Sequence, residues 1–363
     1  MNFLLIEDEE DFVGDVKRAA NGQATVLAPK EVGLLRDDAL PPDGPAEEQL
    51  AEILSALIRR YQIDLVVLDT DLSHAKGKLE AQSGYRAALQ KLGMPVCRYR
   101  KGGSETQFSW WQRLQRAIQE GADAIWISRS MVGDDIDKLV PWLVDISSGF
   151  KTLATRLEAQ PELLASAGEF GPADVLAIVL EKPAAKVDFL GYTSQSLFFF
   201  ASANVADPSA LRSESERFAT RLGYWLFNYI MTFPGPILPA GAAAAFLNLT
   251  IDSFTHKAVQ ALVESSRYTG PFANTATYYW RSDLAQLLDR VSGDIARAPE
   301  LKGVNLTRQD PADPGAEAFW CVLSQAPVLS ADTALNPEWI PSGASQSRVT
   351  QSRLDELGPL LSI

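Results

Sequence analysis

Two short apolar runs, each ending abruptly in acid, constrain this chain more than anything else in it. Phe3-Leu4-Leu5-Ile6 runs into Glu7-Asp8-Glu9-Glu10, and Ile63-Asp64-Leu65-Val66-Val67-Leu68 runs into Asp69-Thr70-Asp71. Short runs with little polar interruption suit strands covered on both faces, as in a parallel sheet. Parallel neighbours finish at the same edge, so the two acidic endings pool in one crevice.

Helical and strand patterns alternate around these runs. Phe12, Val16 and Ala19 recur at helical spacing until Asn21-Gly22, and residues 24–28 read as a second strand. Residues 33–45, rich in Asp, Pro and Gly, read as a loop. Pro45 then suits the first turn of a helix, with Glu47 and Glu48 at its positive end and Arg59-Arg60 at its negative end. Leu50, Ile53, Leu54, Leu57 and Ile58 form its buried stripe. Tyr85, Ala88, Leu89 and Leu92 mark another helix, stopped by Gly93 and Pro95, and residues 95–99 a fourth strand. Phe108, Trp111, Leu114 and Ile118 give a helix closed by Gly121, before a fifth strand at 124–127. The alternation predicts an α/β domain over residues 1–133. Its core is a doubly wound five-stranded parallel sheet with ligands at the strand carboxyl ends.

Three of these motifs, in this order and spacing, resemble the receiver domains of response regulators. Leu4-Leu5-Ile6-Glu7-Asp8 resembles the receiver opening, Asp64-Leu65-Val66-Val67-Leu68-Asp69 the third strand, and Gly121-Ala122-Asp123 the approach to the fifth. The resemblance covers about residues 1–145. It implies that Asp69 is the phospho-acceptor and that Glu7, Asp8 and Asp69, with the backbone carbonyl of Asp71, hold Mg²⁺. Elementary chemistry agrees, because clustered carboxylates repel one another until a hard, oxygen-seeking cation neutralises them. Two positions depart from the family pattern. Arg98-Tyr99-Arg100-Lys101 stands where a switch Ser or Thr ends the fourth strand, and Ile127-Ser128-Arg129-Ser130 lacks the family's lysine. Lys101 and Arg129 are the alternatives for that cation, and a pseudo-receiver without regulated phosphorylation is the alternative state. The loop from Asp69 to Gly84 is also longer than in typical receivers and lacks their proline.

Arg98, Arg100, Lys101, Arg113, Arg116 and Arg129 fall on segments beside the crevice. They suit either an anion- or partner-docking face or a solvated face with local ion pairs. Ile136, Leu139, Leu143, Ile146, Phe150, Leu153 and Leu157 alternate spacings of three and four. This seam, over a connecting helix at 134–160, suits homodimerisation or a core contact. Pro141 and Ser147-Ser148-Gly149 argue for a kink or break within it.

Residues 161–363 read as a mainly α-helical output or partner-binding domain. Ser213-Glu214-Ser215-Glu216 is a capping-box pattern ahead of Phe218, Leu222, Trp225 and Tyr229. Short helices are expected at 240–247 and 253–263, a fourth around Leu284–Val291, and a late hairpin at 318–329, with a loop-like tail. The corner at 248–252 invites a helix-turn-helix or winged-helix-like element. Residues 241–300, however, hold five basic and six acidic residues, where phosphate contact needs a basic surface. Tyr268, Phe272, Tyr278, Tyr279 and Trp280, interleaved with Arg267 and Arg281, suit a binding surface or a core.

A net charge of −13 argues against broad attraction to nucleic acid or anionic membrane. Two distant cysteines, Cys97 and Cys321, make neither a disulfide framework nor a metal clip, so a cytoplasmic setting is the expectation. No apolar stretch is long enough to span a bilayer. The motifs of P-loop, zinc-protease and serine-hydrolase sites are absent, and nothing places His74 or His256 beside a nucleophile. Asp174, Glu181 and Lys182 do not have the spacing of a nuclease carboxylate set. The expectation is a regulatory protein whose acidic pocket, loaded with metal or phosphoryl, controls a protein-binding C-terminal module. A DNA-binding output and an enzyme with its site in the C-terminal half are the alternatives.

Overall fold

The computed structural model describes residues 1–34, 46–72, 82–102, 107–119, 121–165, 170–193, 199–200, 211–313 and 315–357. Most of the expected loop at 33–45 lies outside them, as do His74 and most of the chain between Leu72 and Gln82. The chain divides into two compact units that interleave in sequence. The first comprises Met1–Ala167 and Phe198–Asn228, the second Gly168–Leu197 and Tyr229–Ile363.

The first unit is built on β1 (Asn2–Ile6), β2 (Thr25–Leu27), β3 (Leu65–Asp69), β4 (Val96–Tyr99) and β5 (Ile125–Trp126). All pair in parallel in the order β2-β1-β3-β4-β5, which is receiver-like in topology. The helices are α1 (Glu10–Ala20), α2 (Pro29–Val32), α3 (Ala46–Tyr61), α4 (Gln82–Leu92), α5 (Gln107–Gln119), α6 (Arg129–Val132) and α7 (Ile136–Glu158). Strand alternation sends Leu4, Ile6, Val66 and Leu68 into one core with Leu50, Leu54 and Ile58 of α3 and Tyr85, Ala88 and Leu89 of α4. Gly93, with φ of +66°, ends α4 in the left-handed conformation that favours glycine. Elsewhere α1 packs against α7.

Helix α7 runs unbroken through Pro141. Near a helix start the proline forfeits one backbone hydrogen bond, and packing along the rest of the helix outweighs that loss. Leu139, Leu143, Ile146 and Phe150 are buried and Ile136 half-buried, so the seam offered to a second copy is core within this chain. The covering helix, Glu214–Tyr224, was expected in the C-terminal domain, yet it packs on α7 in the first unit. The contact is close at Gly223, where a Cβ would lie 2.4 Å from a ring carbon of Phe150.

Polar side chains fasten this helical segment to the amino ends of β4 and β5. Thr220 Oγ1 donates to Gly93 O at 3.0 Å, and Tyr224 Oη accepts from Val96 N at 2.8 Å. Asn228 Nδ2 donates to Gly121 O at 2.6 Å and to Ala124 O at 2.8 Å. The capping box forms as its residues imply: Ser213 Oγ accepts from Glu216 N, and Glu216 Oε2 from Ser213 N.

The second unit has more strand than expected. β6 (Ile237–Pro239) pairs antiparallel with β7 (Tyr278–Trp280). The hairpin of β8 (Ala318–Cys321) and β9 (Ala326–Leu329) is joined by β10 (Ser347–Arg348), from the tail expected to be loop. Helices of seven, four and seven residues, Ala240–Phe246, Ile251–Phe254 and Lys257–Val263, stand around the corner at 248–252. Tyr268, Phe272, Tyr279 and Trp280 are buried, so most of the aromatic segment is core rather than binding surface. No described helix is long and apolar enough to cross a membrane.

Candidate functional site

The site forms because β1, β3 and β4 end at one edge in register. Ile6 pairs with Leu68 and Asp69 with Tyr99, so Glu7, Asp69 and Tyr99 leave the sheet side by side. Glu7 and Asp69 are the only acidic residues among the described buried ones, and Asp8 is half-buried beside them. One carboxylate oxygen each from Glu7, Asp8 and Asp69 lie within 4.8 Å of one another, a spacing able to hold a metal ion.

Glu7 is held from several sides. Its Oε1 accepts from the backbone N–H of Asp8 at 2.9 Å, of Glu9 at 2.8 Å, and from Lys101 Nζ at 2.8 Å. Its Oε2 accepts from Tyr99 Oη at 2.5 Å. Lys101 Nζ also lies 3.0 Å from Glu9 Oε1 and 3.3 Å from Asp69 Oδ2, with the Phe12 ring 5.5 Å away. Asp69 Oδ1 accepts from Asp71 N at 3.0 Å. Among the described residues, its Oδ2 has no aligned hydrogen bond and meets the Lys101 ion pair.

These contacts set the charges. Burial pushes the Glu7 carboxyl above its usual range; Lys101, Tyr99 and the Glu9 amide oppose this only in part, and Asp69 adds to it. Burial likewise raises Asp69 against the opposing pull of the Asp71 amide and Lys101, and Asp8 raises it further. Burial alone would lower Lys101, but Glu7 and Glu9 outweigh it and keep the ammonium charged. Burial and the neighbouring Glu7 push the Tyr99 hydroxyl well up, so it stays a protonated donor. Among the described residues, the Lys101 ammonium pairs with Glu7, Glu9 and Asp69, three carboxylates sharing one cation. The oxygen donors of Glu7, Asp8 and Asp69, with an Asp69 oxygen that lacks an aligned donor among the described residues, could hold a hard metal ion.

The other expected residues fall as follows. Asp71 contributes its N–H to Asp69 and exposes its side chain. Of the two candidate cations, Lys101 enters the pocket; Arg129 opens the short α6, half-buried. Arg98 and Arg116 flank the Trp126 ring, with guanidinium carbons 4.8 and 4.4 Å from its centroid, while Arg100 is exposed. Arg113 stacks over Trp110 at 4.5 Å. In the second unit, His256 Nδ1 caps a helix by accepting from Ala258 N at 3.2 Å. Lys182 pairs with Asp283 at 2.7 Å, and Lys186 pairs with Asp174.

Sequence reasoning missed the roles of Tyr99 and Glu9. The signal for Tyr99 was its place as the last residue of a strand whose neighbour ends at Asp69. Comparison with family models, with curated proteins and with solved structures finds no match to this chain.

Proposed function

We propose that the chain is a receiver-like regulatory protein whose first unit is a doubly wound α/β domain and whose Asp69 accepts a phosphoryl group. The second unit is its protein-binding output. The observation that carries this reading is Asp69 itself. It is buried at the carboxyl end of the central strand, its Oδ1 fixed by the Asp71 amide and its Oδ2 directed at Lys101 beside Glu7 and Asp8. Ligands of open parallel sheets bind at this edge.

In the proposed step, Asp69 Oδ2 forms the new bond to phosphorus while the bond from phosphorus to the donor's leaving oxygen breaks. The leaving group keeps that electron pair. Glu7, Asp8 and Asp69, with the Asp71 carbonyl, would hold Mg²⁺, which supplies charge neutralisation for an incoming phosphoryl group. Lys101 stands where it can pair with a phosphoryl oxygen. Readout by a hydroxyl at the end of β4 is not part of the proposal, because the Tyr99 hydroxyl is already committed to Glu7. The net charge of −13 disfavours nucleic acid and so supports the choice of a protein partner.

The test is incubation with a small acyl phosphate and Mg²⁺, followed by intact-protein mass measurement. One phosphoryl adduct, absent from Asp69→Ala, is the expected result. No adduct on the folded wild-type protein overturns phosphoryl acceptance and leaves the pocket as a pseudo-receiver site.

A further inference from the structure

The lysine in this pocket follows β4 rather than β5, and its contacts suggest a role of its own. Lys101 lies two residues beyond β4 and places Nζ 2.8 Å from Glu7 Oε1, 3.3 Å from Asp69 Oδ2 and 3.0 Å from Glu9 Oε1. Two of these three carboxylates, Glu7 and Asp69, belong to the set whose oxygens converge within 4.8 Å. The third, Glu9, sits outside that set, and its side chain is 49% exposed. The lysine side chain is 21% exposed, so it bridges from the pocket floor to the rim.

We infer that Lys101 is a tethered counter-ion that competes with a divalent cation for Glu7 and Asp69, with Glu9 as the contact that retains its ammonium at the rim. The inference rests on the reading of this pocket as a cation site. Its physical basis is that two cations sharing the same carboxylates repel strongly where water is largely excluded. An ammonium already paired with two of the ligands raises the concentration of metal needed to load the site. The Phe12 ring lies 5.5 Å from the ammonium and 5.4 Å from the Tyr99 ring, so the wall on that side is aromatic. Glu9, at the rim, already holds the ammonium from outside the converging set. Such a device makes occupancy depend on the cation level of the surroundings.

Titration calorimetry with Mg²⁺ on the full chain tests this. Lys101→Met is expected to bind Mg²⁺ at least tenfold more tightly than wild type, and Lys101→Arg, which keeps the charge, to stay within about threefold of wild type. Lys30→Met removes an exposed cation paired with Glu10 outside the pocket and controls for overall charge; its affinity is expected to be unchanged. Thermal unfolding without metal supplies a second readout: Lys101→Met is less stable than wild type, and saturating Mg²⁺ restores more stability to it than to wild type. If Lys101→Met fails to fold, Lys101→Gln replaces it. Wild type binding Mg²⁺ with Lys101→Met no tighter overturns the competition alone. Absence of binding in wild type and both neutral variants overturns the competition together with the cation-site reading.

Discussion

The two units differ in how they bury charge. In the second unit, the described buried polar residues are uncharged, and several are tied to backbone. Asn248 bridges Asp310 N and Asp313 O, Ser253 Oγ accepts from Thr307 N, Gln346 donates to Ala318 O, and Ser347 donates to Pro234 O. Its charges pair nearer the surface, as in Lys182–Asp283 and Arg308–Asp294. The first unit instead buries two carboxylates next to each other, both paired, among the described residues, with the Lys101 ammonium. Buried polar groups are normally satisfied, and buried charge is costly unless fully paired. The second unit's arrangement is what stability alone requires. The first unit's pocket departs from that arrangement.

The largest expected effect lies in the second unit. Phe254 is fully buried and meets the Tyr279 ring edge-on at 5.2 Å. Phe254→Ala should cost about 4 kcal/mol in urea unfolding through the cavity it leaves. Mg²⁺ affinity of the folded fraction should not change; if it does, the contrast between a structural unit and a ligand-binding one is lost.

A smaller effect of opposite sign is expected in the pocket. Asp69→Asn keeps the acceptor for the Asp71 amide but removes an under-neutralised buried charge. It should stabilise the metal-free protein by about 1 kcal/mol near neutral pH. The pH dependence has the same origin. Glu7 and Asp69 have carboxyls raised above their ordinary values of 4.5 and 3.8, so the folded state binds protons more tightly than the unfolded chain. Their contribution favours folding most below those ordinary values and is lost as pH rises through the raised ones. Metal-free wild type should therefore lose stability across that window, and Asp69→Asn should lose less. Equal slopes in the two proteins would show that Asp69 carries no such strain.

Much of this architecture was legible from residues 1 to 133. Apolar runs of four to six residues separated by amphipathic helices leave few topologies, and the acidic endings followed from strand direction. Asp69, Glu7 and Asp8 came together because register is set by the same apolar pairs that the sequence displays. Lys101 was one of two candidates, since a lysine just past a strand and an arginine just past the next differ only in loop geometry. Tyr99 reads as an ordinary strand aromatic until its hydroxyl is seen on Glu7. The membership of the helix Glu214–Tyr224 was hidden for a different reason. Its capping box and stripe announce a helix but not the helix it covers. Phe150 meeting Tyr224 across Gly223 is a contact that no local pattern encodes. The tail was misread because β10 is two residues long and held by tertiary pairing rather than propensity.

The claim on which all of this rests is that the acidic edge of the sheet is a cation site. A crystal grown with Mn²⁺, a hard ion that shares the oxygen preference of Mg²⁺, addresses it directly through anomalous scattering. The account predicts one strong anomalous peak within bonding distance of the Glu7, Asp8 and Asp69 carboxylates, with the Lys101 ammonium drawn away from Glu7 and Asp69 towards Glu9. A fully ordered pocket with no peak, and Lys101 still bridging Glu7 and Asp69, would contradict it.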